Sequence, residues 1–376
     1  MVPRSGGVYV FAERTLGRFG GTVVGWSDLL NAVFAIALLA VALAEFTGEL
    51  VPALRTSTSA LAATIVCGFT LLNLHSVRLA AGTQELTSLL KLLALWLLAL
   101  ACLAFAPRAA DPPATVHAFA AAHWTAAGAV ASFQLVLGAF NGWAAPAYFG
   151  GETRGGWRSA PKAMLYGGLL VATTYLLINV SLFQVVPLSE LAGSKLPAAA
   201  ALERLTSAHG WSHGLGATLC IAVAVASLPS TLQAVMMQTS RTLHAMSVDG
   251  LFWRWGASVN RRGAPANAVL ACGTIALLLA TTSSFETLFI TFTVFAVANN
   301  LILLCGVVRL RRLEPDLHRP FKVIGYPWSL VPIVIIDLMV FVGFASANLR
   351  QCVFSAALVA AAYIAYRFHR RGGVRA

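Results

Sequence analysis

The sequence predicts an all-α polytopic membrane protein of about ten transmembrane helices, on three observations. First, of 376 residues 58% are apolar and only 11% charged, too little charge to cover a soluble protein of this size. Second, the apolar residues fall in ten runs near the roughly 20 residues that a helix needs to cross a bilayer core. Third, the basic residues sit almost entirely in alternate loops between those runs.

The runs are 23–46, 58–78, 86–106, 126–149, 162–186, 214–240, 266–283, 286–308, 327–347 and 350–367. Backbone groups in lipid must be satisfied within the segment, so each run reads as a helix. The alternation of a membrane β-barrel strand is absent from them. Only Ser283-Ser284-Phe285 separates the seventh run from the eighth. With residue 1 on the cytoplasmic side, the inner loops and tail hold twenty Lys and Arg residues against five in the outer loops. That bias predicts cytoplasmic termini in a multi-pass protein of the plasma or inner membrane. The whole chain then forms one transmembrane domain: residues 1–22 as a cytoplasmic loop, 23–308 as a first block of spans and 327–367 as the last two.

The net charge of +12 does not indicate nucleic acid, because no basic stripe with interleaved aromatics occurs. The six cysteines lie in or at the edge of apolar runs with no CxxC pair, and read as small buried hydrophobes rather than metal ligands. No outer loop holds a cysteine, so no disulfide-linked partner is expected. The first twenty residues lack the apolar core of a leader. Eight histidines are scattered without HExxH or nucleophile-elbow spacing, so neither an enzyme, a metal centre nor a cofactor is expected.

Polar interruptions of the apolar runs carry the functional information. Gly138-Ala139-Phe140-Asn141-Gly142-Trp143, with Pro146, interrupts the fourth run with poor helix formers. A helix that unwinds here offers backbone N–H and C=O groups to a ligand within the membrane. Glycines that merely allow close helix packing are the alternative. Lys91 interrupts the third run, and an intramembrane lysine is a functional candidate by default. Lying about five residues from the end of that run, it can equally snorkel to the interface. Ser227-Leu228-Pro229-Ser230-Thr231 and Gln233 mark the sixth run, either lining a cavity or bonding their own helix. Asp28, His75, Asn299, Asn300 and Asp337 are further polar residues in or near runs, read as interhelical or interfacial contacts with no partner identifiable from sequence.

Five segments in order resemble the amino acid–polyamine–organocation permeases, most closely their L-type amino acid transporter branch. Pro3-Arg4-Ser5-Gly6-Gly7-Val8-Tyr9 with Phe19-Gly20 resembles the loop after the family's second helix. Gln84 to Lys91 and Leu95 resembles the start of its fifth helix. Phe140-Asn141-Gly142-Trp143 to Glu152, then Arg154, Arg158 and Pro161, resembles the end of its sixth. Ser240-Arg241 through Asp249-Gly250, then Asn260 to Pro265 and Asn267, resembles the loop after its eighth. Leu310 to Asp316, Arg319-Pro320-Phe321 and Gly325-Tyr326-Pro327 resemble the loop after its tenth.

The resemblance implies a LeuT-type inverted-repeat fold whose third to twelfth helices are the ten runs here. It implies secondary active transport of amino acids or related amines by alternating access, proton-coupled or by exchange. Gly138, Phe140, Asn141, Gly142 and Trp143 would bind substrate. Lys91 would stand where relatives hold a coupling sodium, bridging the fifth and eighth helices near Ser230 and Thr231. No acidic residue lies in the sixth-helix segment, which leans towards neutral substrates. Two departures stand out: Gly138 replaces a frequent aromatic gate, and Gly155-Gly156 replaces Asn-Pro. The family's first two helices, with their GSGIF segment, have no counterpart here. Met1 is therefore expected to be an internal start. The alternative is a truncated, non-transporting membrane protein, either a fragment or an accessory binding subunit.

Overall fold

The computed structural model describes residues 6–75, 77–105, 125–142, 144–149, 156–187, 190–191, 194, 196–316, 323 and 325–373. The described residues are mostly helical, without a strand among them. Among the described residues, eight helices are long and apolar enough to cross a bilayer. Two shorter apolar helices, starting at 128 and 266, occupy the fourth and seventh expected spans.

Helix α1 (Val8–Leu50) is the central post. Residues 8–22, expected as a loop, are helical and continuous with the first span except at Gly17, where φ is +74° and ψ −177°. Only glycine reaches that backbone without strain, and the break turns the leading segment aside from the span. Beyond the span, a 3₁₀ turn (Pro52–Ser57) leads into α2 (Thr58–His75) and then α3 (Val77–Phe105). The fourth span is two helices, α4 (Ala126–Ala139) and α5 (Ala145–Tyr148). α6 (Gly156–Val185) follows. Next comes a helix with no counterpart among the expected spans, α7 (Pro197–Ala208). It is short and amphipathic, and its Ala201 and Leu205 pack with Cys102, Leu182, Val185 and Val186.

Helix α8 (Leu215–Val248) continues past the expected end of its run. α9 (Ala266–Thr282) and α10 (Phe285–Leu313) are distinct helices. Their boundary is local chemistry. Ser283 and Ser284 are both extended, and the Ser284 hydroxyl caps α10 by accepting the Thr287 N–H at 3.3 Å. α11 (Leu330–Ala347) and α12 (Leu349–Gly373) close the chain.

The main core lies where α1 meets α8, α10, α9 and α2. Tyr9, Ile36, Leu232, Met236, Leu243, Met246 and Leu288 are among its fully buried side chains. Lipid tails are as apolar as leucine, so these helices associate through close packing and interhelical hydrogen bonds rather than water expulsion. One such bond is a reciprocal amide pair: Asn73 donates to Gln233 Oε1 at 3.0 Å, and Gln233 donates to Asn73 Oδ1 at 3.2 Å. Asn31 similarly donates to the Phe292 carbonyl at 2.8 Å, tying α1 to α10.

Cross-chain bonds sort the loops into two ends. At one end Tyr9 donates to Asp249 and Arg18 to the Asp249 and Gly250 carbonyls. Also there, Arg14 pairs with Glu314, Asn260 donates to the Leu74 carbonyl and Tyr366 to that of Gly250. At the other end Ser59 reaches the Thr281 carbonyl and Phe105 packs edge-on against His209. This sorting is the same alternation that the basic loops predict.

Candidate substrate site

The fourth span breaks where its glycines and asparagine fall. The Phe140 N–H still reaches Val136, but Asn141 donates back only to Gly138 (3.2 Å) and Ala145 only to Gly142 (3.0 Å). These turn-type bonds replace the helical ladder, with Gly142 at φ +120°, a region that side-chain-bearing residues rarely adopt. Pro146 then sits in the first turn of α5, where its missing N–H has no helical partner to serve. Asn141 and Gly142 are exposed and Phe140 half-buried. The Phe140 ring packs edge-on against Tyr175, 5.3 Å between centroids, while the Tyr175 hydroxyl donates to the Ala139 carbonyl at 2.9 Å. Beside Gly138 the space for a side chain is open. Trp143 lies outside the described residues.

Lys91 is not near the end of its helix. α3 runs from Val77 to Phe105, and Lys91 stands fourteen residues from each. The ammonium is half-buried and donates to Thr231 Oγ1 of α8 at 3.2 Å. Ser230, fully buried, donates to the Ser227 carbonyl of its own helix at 2.9 Å. Pro229 between them has no N–H to return to Val225, which loosens α8 one turn from the lysine contact. The structure therefore brings Lys91 and Thr231 together, and Ser230 turns away. Among the described residues no hydrogen bond joins this pair to 138–142.

A buried pair that sequence reasoning did not find lies at the other half of the broken span. The Tyr148 hydroxyl donates to Asp28 of α1, 2.9 Å from Oδ1 and 3.1 Å from Oδ2. Tyr148 is 3% and Asp28 6% exposed. The Tyr148 ring lies so close to Gly7 that a Cβ there would fall 2.1 Å from it. In the sequence these residues are 120 positions apart, and only the carboxylate inside an apolar run signalled that a partner must exist.

A bundle of apolar helices with one span unwound at its glycines is an arrangement suited to passing a small polar solute. Comparison with known proteins agrees. A family profile described as "Amino acid permease" matches residues 1–366. The chain belongs to this family.

An uncharacterized transporter of Mycobacterium tuberculosis is 29% identical over 321 residues, which is 83% of this chain and 69% of that protein. The branched-chain amino acid permease BcaP of Bacillus subtilis is 24% identical over 349 residues, 87% of this chain and 71% of its own. The b(0,+)-type amino acid transporter 1 of Mus musculus is 26% identical, with 91% and 69% covered. Membership makes this permease a multi-pass membrane protein of amino acid transport, not an enzyme, whose partners are a small-molecule substrate and the surrounding lipid.

Proposed function

We propose that this permease is a secondary transporter that moves neutral amino acids across the plasma or inner membrane by alternating access. Both termini lie on the cytoplasmic side in this reading, which the twenty inner basic residues against five outer ones support. The observation that carries the reading is the break at 140–142. An unwound stretch inside a membrane span leaves polar backbone within reach of a substrate's ammonium and carboxylate. Gly138, Phe140, Asn141 and Gly142 form this wall of the site, and Trp143, outside the described residues, is assigned to substrate by its place in the sequence. Phe140 supplies an apolar surface, the exposed Asn141 amide a polar contact, and the open space beside Gly138 room for a side chain. No carboxylate lies in 138–143 to favour a cationic side chain.

Lys91 is the coupling residue of this scheme. A mid-helix ammonium facing Thr231 ties α3 to α8 with a positive charge in the place of a bound cation. Proton transfer at Lys91 would let the tie form and release during the cycle. The test is uptake of labelled leucine into proteoliposomes under an inward proton gradient. Saturable uptake competed by neutral but not by acidic or basic amino acids is expected. Folded, inserted protein without saturable uptake would overturn the reading.

A further inference from the structure

The two halves of the broken span share α6 as a neighbour but differ in their other partners. α4 packs on α11, with Gly343 seated against Val130. α5 is only four residues long, too short to hold itself; it packs on α6 and α8, and its Tyr148 reaches side chains of α1 and α10. Its Tyr148 joins Val8, Ala12 and Val24 in a small apolar cluster and spends its hydroxyl on Asp28. Phe149 beside it lies under the Arg241 guanidinium, 4.9 Å from the ring centroid.

Burying a carboxylate within a span costs more than packing an apolar pair in the same volume, so stability alone does not account for Asp28. What the pair provides is a directional bond between the short half of the broken span and the central post. We propose that Tyr148 and Asp28 form a latch that positions α5 against α1 and closes the path between the 140–142 segment and the inner face. The latch has two discrete arrangements, because α5 cannot leave α1 without losing the hydroxyl bond and unseating the ring from Gly7. Opening inward requires that release; opening outward leaves it intact. This assignment rests on the transport reading above.

A residue that biases one of two states changes apparent affinity oppositely at the two faces, which a general packing defect does not do. The experiment measures leucine KM from each face in right-side-out and inside-out oriented proteoliposomes. Tyr148→Phe, which keeps the ring, is expected to lower KM at the inner face and raise it at the outer face by about fivefold each. Asp28→Ala, with the ring still seated, gives the same asymmetry and serves where Tyr148→Phe does not insert. Asp28→Asn, whose amide oxygen still accepts the hydroxyl, moves both values back towards wild type. Unchanged KM, or shifts in the same direction at both faces, would overturn the latch while leaving transport standing. Wild-type protein with no saturable uptake would overturn the transport reading instead.

Discussion

The Lys91 ammonium donates to Thr231 at 3.2 Å, from the midpoint of one membrane helix to the hydroxyl of another. A charge held that far from either end of its helix needs a compensating role, because it is costly to desolvate and has only a neutral oxygen for a partner. Lys91→Ala is therefore expected to lower uphill uptake at least about tenfold, a loss of about 1.4 kcal/mol of driving interaction. Exchange of labelled for unlabelled leucine at equal concentrations should suffer less. Full uphill uptake by a stable Lys91→Ala protein would remove the lysine from the mechanism.

Thr231→Val probes the same contact from the other side. It keeps the shape of the side chain and deletes the acceptor, leaving the ammonium without its hydroxyl partner. The pH dependence of uptake should then shift while the maximal rate at optimal pH falls only about two- to fivefold. A pH profile superimposable on wild type would mean that the contact does not tune the lysine.

Gly142 is the clearest test of the unwound segment. At φ +120° any side chain is strained by about 1–3 kcal/mol, yet nothing lies within 4 Å of where its Cβ would stand. Gly142→Leu should thus insert and elute as wild type on size exclusion but lose leucine binding by at least about tenfold. Unimpaired binding would show that the backbone here does not meet substrate.

These sites were not equally legible in the sequence. The spans were readable because a bilayer imposes length and composition on each helix, and the break was readable because glycine, asparagine and proline cluster at 138–146. Local caps refined what composition left open, as where Ser284 separates α9 from α10. The length of the third helix was under-read because polar Thr83, Gln84 and Glu85 shortened the apolar run, while the helix itself continues back to Val77. Asp28 with Tyr148, and Asn73 with Gln233, were hidden for another reason. Each is a long-range pair between helices, 120 and 160 residues apart, and no local period encodes it.

The Asn73–Gln233 pair yields a stability test that does not depend on transport. Both amides are buried, and each satisfies the other. Asn73→Leu strands the Gln233 amide, and Gln233→Leu strands that of Asn73. Each single change should cost about 1–3 kcal/mol. The double change to leucine removes both polar groups and should cost less than the sum of the singles. A double-mutant cycle by thermal denaturation in detergent checks the coupling, and strict additivity would mean that the pair contributes no coupling energy.

Outside the membrane, Glu203 of α7 makes stability depend on pH. Its carboxylate accepts the Gly214 N–H at 2.7 Å and the Gly216 N–H at 3.1 Å at the start of α8, and contacts the His213 ring. Those donors, the Gly214 N–H foremost, hold its pKa down to about 2, against about 4.3 for a free glutamate. The folded state therefore favours the charged form. The resulting stabilisation is complete above about pH 4.3 and is lost as the pH falls towards 2. Glu203→Gln removes the charge at every pH, so its melting temperature should lie below wild type at pH 7. The two curves should converge as the medium approaches pH 2. A gap that stayed constant from pH 7 down to 2.5 would mean that the carboxylate charge is not what fastens α7 to the start of α8.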